Sequence, residues 1–224
     1  MADNDIFDEL FVLELANNHW GSLERGLKII QEFGLVVRYN TVRAAIKFQF
    51  RDVDTFIHKD FLNRRDIRYI DKTLATRISR DDMAKMVAAV RQYNCLRMAT
   101  PFDEKSVEMC EELEVDIIKV ASADVTDWVL LERIAKTHKP VIISVGGTAV
   151  TDINNIVRFF KNRNIPLAIN HCISVYPTED RDMELNQIDF LRNKYPDNII
   201  GLSTHECGDW TSSIMIAYAK GARS

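Results

Sequence analysis

The chain has 224 residues, 46% apolar and 28% charged, with a net charge of −4. That length buries one sizeable core, and the dispersed, slightly acidic charge leaves no basic field for nucleic acid or anionic lipid. No run nears the roughly 18 apolar residues that span a bilayer, and residues 1–8 lack the basic start and apolar stretch of a signal peptide, so a cytoplasmic protein with no membrane partner is expected.

Seven short apolar runs follow in chain order, each ending on or just before a polar residue. They are 10–15 with Glu14, 43–48 with Lys47, 95–99 before Thr100, 116–120 with Lys119, 140–145 with Ser144, 167–171 with Asn170 and His171, and 199–203 before His205. A useful side chain at the C-terminal end of each strand is the pattern of a parallel (β/α) barrel, whose active site sits at that end. The expectation is that Glu14, Lys47, Lys119, Ser144, His171 and His205 all face one mouth.

Between these runs lie segments of helical period at 23–33, 81–93, 103–113, 129–137, 153–162, 185–194 and 210–219. Ser79 and Thr126 or Asp127 stand where N-caps are needed. Strand then helix without a flexible linker predicts an α/β fold of TIM type in one domain spanning 1–224. Residues 51–78 break the rhythm, too long and too charged for an ordinary βα loop, and predict a lid over the mouth or a solvated excursion. The seventh helix is followed only by Gly221-Ala222-Arg223-Ser224. The (β/α)8 barrel therefore reads as truncated before its eighth strand, with unpaired edges on the first and seventh strands that favour a homodimer.

Cys95, Cys110, Cys172 and Cys207 form no CxxC pair, so they read as reduced thiols; Cys207 stays open because it lies beside His205. His171 and His205 end neighbouring strands and could converge on one divalent ion, Mn²⁺, Fe²⁺, Co²⁺ or Zn²⁺. Lys47 and Lys119 sit in apolar strands, where an ammonium group is costly without an anion. One reading pairs Lys47 with Glu14; the other directs both lysines, with Thr100, Ser122 and Ser144, at phosphate and carboxylate groups of a ligand. Gly146-Gly147 could add backbone N–H donors to an anion.

Taken together, these runs resemble the N-acetylneuraminate (sialic acid) synthase family. The resemblance rests on Glu14-Leu15-Ala16-Asn17-Asn18-His19-Trp20-Gly21-Ser22, Ile46-Lys47-Phe48-Gln49, Thr100-Pro101-Phe102-Asp103, Ile118-Lys119-Val120-Ala121-Ser122, Lys139-Pro140-Val141-Ile142-Ile143-Ser144, His171-Cys172 with Tyr176-Pro177, and Gly201-Leu202-Ser203-Thr204-His205. It implies condensation of phosphoenolpyruvate with an N-acylated amino-sugar aldehyde to a nonulosonic acid and phosphate. It also implies Lys47, Thr100, Lys119, Ser122 and Ser144 on phosphoenolpyruvate, Asn170 and Tyr176 on substrate, and Glu14 and Asp124 as carboxylates near the reacting carbons. A divalent ion, Mn²⁺ foremost with Mg²⁺ or Co²⁺ as alternatives, would be held by His171 and His205 and would polarise the aldehyde.

The chain departs from the family at Ala123-Asp124, where Gly-Glu is common, and at Ser203-Thr204-His205-Glu206, where Ser-Asp-His-Thr is common; the expectation is of a barrel domain without the family's C-terminal antifreeze-like domain. Two rival readings remain. Another phosphoenolpyruvate-aldehyde condensing enzyme acting on a sugar phosphate would need an extra cationic site, for which only the 51–68 stretch offers residues. A catalytically silent sugar-binding or assembly barrel would leave buried lysines and paired histidines without a use.

Overall fold

The computed structural model describes residues 5–206 and 208–224. Seven strands are present among them: β1 (Leu10–Glu14), β2 (Arg43–Phe50), β3 (Leu96–Pro101), β4 (Ile117–Val120), β5 (Val141–Ser144), β6 (Leu167–Cys172) and β7 (Ile199–Ser203), ordered in the sheet as in the chain. The helices are α1 (Leu23–Asn40), α2 (Val53–Phe56), α3 (Arg68–Ala75), α4 (Arg80–Val90), α5 (Glu104–Glu112), α6 (Trp128–Ala135), α7 (Val150–Lys161), α8 (Gln187–Lys194) and α9 (Trp210–Ala219). Parallel strands in sequence order with a helix after each make this the TIM-barrel class of α/β fold. The chain separates into two compact units, one of residues 11–118 and one of residues 1–10 with 119–224.

In the first unit, β2 pairs in parallel with β3, with Lys47 beside Met98 and Gln49 beside Thr100, and β3 pairs with β4 through Met98 and Ile117. Because strand side chains alternate, Lys47, Gln49, Met98 and Thr100 share one face of the sheet. Ile46, Phe48 and Phe50 take the other face and are fully buried. Helix α1 begins at Ser22, whose hydroxyl accepts the Arg25 N–H, and α4 begins at the expected Ser79, which accepts the Asp82 N–H. Residues 51–78 fold into α2, a short 3₁₀ turn at Lys59–Phe61, and α3. Asp103 anchors the start of this stretch. One of its carboxylate oxygens caps α5 through the Ser106 N–H at 2.7 Å, and the other accepts the Asp52 N–H at 2.8 Å.

In the second unit, β5 pairs with β6 and β6 with β7, bringing Ser144, Asn170 and Gly201 into line. All residues of β4, β5 and β6 are buried, as expected of parallel strands covered on both faces. The expected gap beside β7 is filled by the residues after α9. The Arg223 N–H reaches the Ile200 carbonyl at 2.8 Å, the Leu202 N–H reaches the Ser224 carbonyl at 2.8 Å, and the Leu10 N–H reaches the Arg223 carbonyl at 3.0 Å. Arg223 also ion-pairs with Glu9 at 3.1 Å. The expectation of two bare strand edges is corrected by these three bonds.

Candidate active site

The most distinctive group of the second unit is a buried lysine at the end of β4. Lys119 is 5% exposed and Ser144, at the end of β5, is 2% exposed. Lys119 Nζ donates to Ser144 Oγ at 2.5 Å and to the Val120 carbonyl at 3.0 Å. Asn170 lies beside Ser144 on β6, 4% exposed, with its Oδ1 accepting from Ser224 Oγ at 3.2 Å. Three strand-end side chains therefore present an ammonium, a hydroxyl and an amide in one neighbourhood, a donor set suited to anionic oxygens.

Ser122 follows Lys119 and accepts the Gly146 N–H at 3.1 Å. That bond corrects one expectation, since the Gly146 N–H serves the loop instead of standing ready for an anion. Gly146 is required by close approach: a Cβ there would lie 2.5 Å from Ser174 Oγ and 2.9 Å from the Cys172 carbonyl. Asp124 closes the turn after β4, its N–H bonded to the Ala121 carbonyl at 3.0 Å, and its Oδ2 is withdrawn from solvent.

The two histidines have different neighbours. His171 is 4% exposed, and its Nε2 lies 2.8 Å from the Met183 carbonyl. A carbonyl only accepts, so Nε2 carries a proton, and Nδ1 is the ring nitrogen that keeps a lone pair. Alternation along β6 also turns His171 to the face opposite Asn170 and Cys172. His205 meets Cys172 instead, Nδ1 to Sγ at 3.9 Å, with the Tyr176 ring 4.2 Å from its own. Among the described residues no three His, Cys, Asp or Glu side chains are grouped to hold a metal ion. Cys95, Cys110 and Cys172 are buried thiols as expected, while the open question at Cys207 lies outside the described residues.

In the first unit Lys47 forms an ion pair with Glu14, whose other oxygen accepts the Ala16 N–H at 3.0 Å. Thr100 is 3% exposed and stands beside Gln49. Sequence reasoning gave Gln49 no role, although it sits in a quoted motif and shares the Lys47 face. It also passed over His19, which is 2% exposed. Burial holds the His19 imidazole below its ordinary pKa, keeping it neutral. Nδ1 accepts the Gly21 N–H at 3.0 Å, so Nε2 carries the proton.

The family model described as NeuB family matches residues 39–224. The chain belongs to the NeuB family. It is 30% identical to pseudaminic acid synthase of Campylobacter jejuni over 234 positions, covering 99% of this chain and 64% of that one. Identity to N-acetylneuraminate-9-phosphate synthase of Drosophila melanogaster is 29%, covering 93% of this chain and 58% of that protein. The solved structure of the N-acetylneuraminic acid (sialic acid) synthetase of Leptospira borgpetersenii superposes with a TM-score of 0.82 at 29% identity, covering 96% of this chain and 70% of that one. The NeuB chain described here spans about three fifths of the Drosophila protein's length.

Proposed function

We propose that this NeuB chain carries the condensation of phosphoenolpyruvate with an N-acylated amino-sugar aldehyde, giving a nonulosonic acid and phosphate. The observation that carries the reading is the buried Lys119 ammonium, bonded to Ser144 Oγ and a backbone carbonyl. Burying an ammonium costs several kcal/mol unless it is compensated. An anionic ligand accepting from Lys119 would gain a charge-assisted bond. The relatives named as synthases of pseudaminic and N-acetylneuraminic acids support the reaction class.

In this reading Lys119, Ser144 and Asn170 bind the carboxylate or phosphate of phosphoenolpyruvate, and Ser122 fixes the loop beside them. The enol carbon forms a bond to the aldehyde carbon, whose oxygen takes a proton. Water adds to the carbon that bore the enol phosphate, and that carbon becomes the ketone as phosphate leaves with cleavage of the C–O bond and the hydroxyl proton is lost. Developing charge is met by donors already in position, which lowers the barrier. In the first unit the Glu14 carboxylate, held by Lys47 and the Ala16 N–H, is fitted to take or return a proton, and Thr100 and Gln49 offer polar groups on the Lys47 face. Asp124 is a second carboxylate for proton transfer, and Tyr176, its ring tilted 52° against His205, is a wall for the sugar. A divalent ion belongs to this reading as well: His205 and the Nδ1 of His171 would hold it, and it would polarise the aldehyde carbonyl.

The test is phosphate released from phosphoenolpyruvate with and without N-acetylmannosamine. Sugar-dependent release that falls sharply in Lys119→Ala supports the reading, and release unaffected by the sugar or by the substitution refutes it.

A further inference from the structure

One buried thiol of the second unit has no part in the chemistry so far, and it stands against a proposed metal ligand. Cys172 closes β6, is 4% exposed and lies beside Ser203 in the register of β6 and β7. His205, two residues past the end of β7, is pinned by the stretch that follows Cys172. The Thr178 N–H bonds the His205 carbonyl at 3.2 Å, and Thr178 is itself 3% exposed, with Oγ1 donating to the Val175 carbonyl at 2.7 Å. The Tyr176 ring lies 4.2 Å from the imidazole at a tilt of 52°. The backbone and one face of His205 are therefore fixed, and its use as a donor depends on which ring nitrogen carries the proton.

A proton count at Cys172 answers that. Its Sγ lies 3.7 Å from the Ile173 carbonyl and 3.9 Å from His205 Nδ1. The thiol has one proton to give, and the carbonyl has none. With the S–H on the Ile173 carbonyl, the sulfur faces the ring as an acceptor, Nδ1 carries the ring proton, and Nε2 keeps its lone pair. With the S–H on Nδ1 instead, the carbonyl loses its thiol donor and the ring proton moves to Nε2, the nitrogen that neutral imidazole in water prefers to protonate. Only the first arrangement gives the thiol, the carbonyl and the Nδ1–H a partner each. Sulfur is a weak partner in either direction, but burial excludes the water that would otherwise compete for the same N–H.

We propose that Cys172 is a positioning residue: its sulfur accepts the His205 Nδ1–H and, with the Tyr176 ring, holds the imidazole so that Nε2 presents its lone pair to a divalent ion. Histidines that bind metal commonly donate their other ring N–H to a fixed acceptor, which sets both the tautomer and the orientation of the ring. Here the acceptor is a thiol carried by the neighbouring strand. The role rests on the proposed function at one point, His205 as a ligand, and adds to it the atom used and the residue that selects that atom.

The test reads the tautomer first, from the imidazole ¹⁵N resonances of the metal-free whole chain, with those of His205 identified by their loss in His205→Gln. The Nδ1–H tautomer should dominate in the parent, against the ordinary preference of imidazole, and Cys172→Ala should shift the ring toward Nε2–H. The same chains are then titrated with Co²⁺, followed by calorimetry and near-ultraviolet absorption. Losing the group that orients a metal-binding histidine costs about 10- to 100-fold in metal affinity, so Cys172→Ala should bind Co²⁺ that much more weakly. Cys172→Ser, whose hydroxyl can accept the same N–H, should recover most of the loss. An Nε2–H tautomer in the parent, or a Co²⁺ affinity unchanged in Cys172→Ala, overturns the role of Cys172 and leaves the proposed function standing. A sulfur-to-cobalt charge-transfer band in the parent overturns it as well, since Cys172 would then be a ligand itself. Absence of Co²⁺ binding by the parent in the millimolar range overturns both the ion of the proposed function and the role of Cys172. Should Cys172→Ala fail to fold, the tautomer of the parent decides.

Discussion

Lys119 is the residue on which the chemistry turns. Its replacement by Ala removes a charge-assisted donor worth about 1.5–3 kcal/mol, so the KM for phosphoenolpyruvate should rise roughly ten- to a hundredfold while the KM for the sugar changes little; steady-state kinetics in both substrates checks the split. The histidines should part company in the same assay. His171→Ala strands the buried Met183 carbonyl and should lower stability by about 1–3 kcal/mol, read as a shifted denaturation midpoint. His205→Ala should lower turnover and leave that midpoint in place. Sequence inspection treated the two as equivalent because every residue of β6 is buried, and a strand covered on both faces shows no alternation from which to read direction. Lys119 and Ser144 were legible because charged and polar groups stand out in such runs. His19 acts through pH. Its folded pKa is depressed below 6.5 by burial, so the unfolded chain binds the proton more readily and stability falls as pH drops below about 6.5 through the folded pKa. His19→Asn, whose Oδ1 can replace Nδ1 as acceptor for the Gly21 N–H, should flatten that fall in denaturation midpoints measured between pH 7 and the folded pKa.

At the scale of elements, Asp103 joins α5 to the 51–78 stretch with one carboxylate. Asp103→Ala should cost about 1–2 kcal/mol as a lost N-cap and should also speed amide exchange at Asp52, whose N–H loses its acceptor; unchanged exchange at Asp52 would remove Asp103 from that role. The strands and most helices were readable from period and caps, since Ser79 and Asp127 cap the helices that follow them. The ends were less so. Helix α1 runs to Asn40, beyond the expected 33, because Gly34 is no terminator here: it lets α1 approach the Tyr93 ring, where a Cβ would lie 2.1 Å from Cγ. Strand β2 runs to Phe50 because Gln49 and Phe50 have partners in Thr100 and Pro101 on β3. Such lengths are set by neighbours distant in sequence, which local pattern does not contain. The small helices of residues 51–78 were not legible for the same reason.

For the molecule as a whole, the run Ala222-Arg223-Ser224 is the feature that sequence period least revealed, since three residues carry no period. Removing residues 222–224 should cost on the order of 3 kcal/mol through its three backbone bonds, read as a lower thermal midpoint, and an unchanged midpoint would show those bonds to be dispensable. The seven-strand order and the NeuB family membership agree on a strand-end site, proposed above to condense phosphoenolpyruvate with an amino-sugar aldehyde. The most direct measurement is the stoichiometry of phosphate and 2-keto acid formed from phosphoenolpyruvate and N-acetylmannosamine or its 6-phosphate. One phosphate and one nine-carbon 2-keto acid should form for each phosphoenolpyruvate consumed, and Lys119→Ala should lower both together. Phosphate released without the keto sugar acid, or no consumption with either sugar, would contradict that proposal.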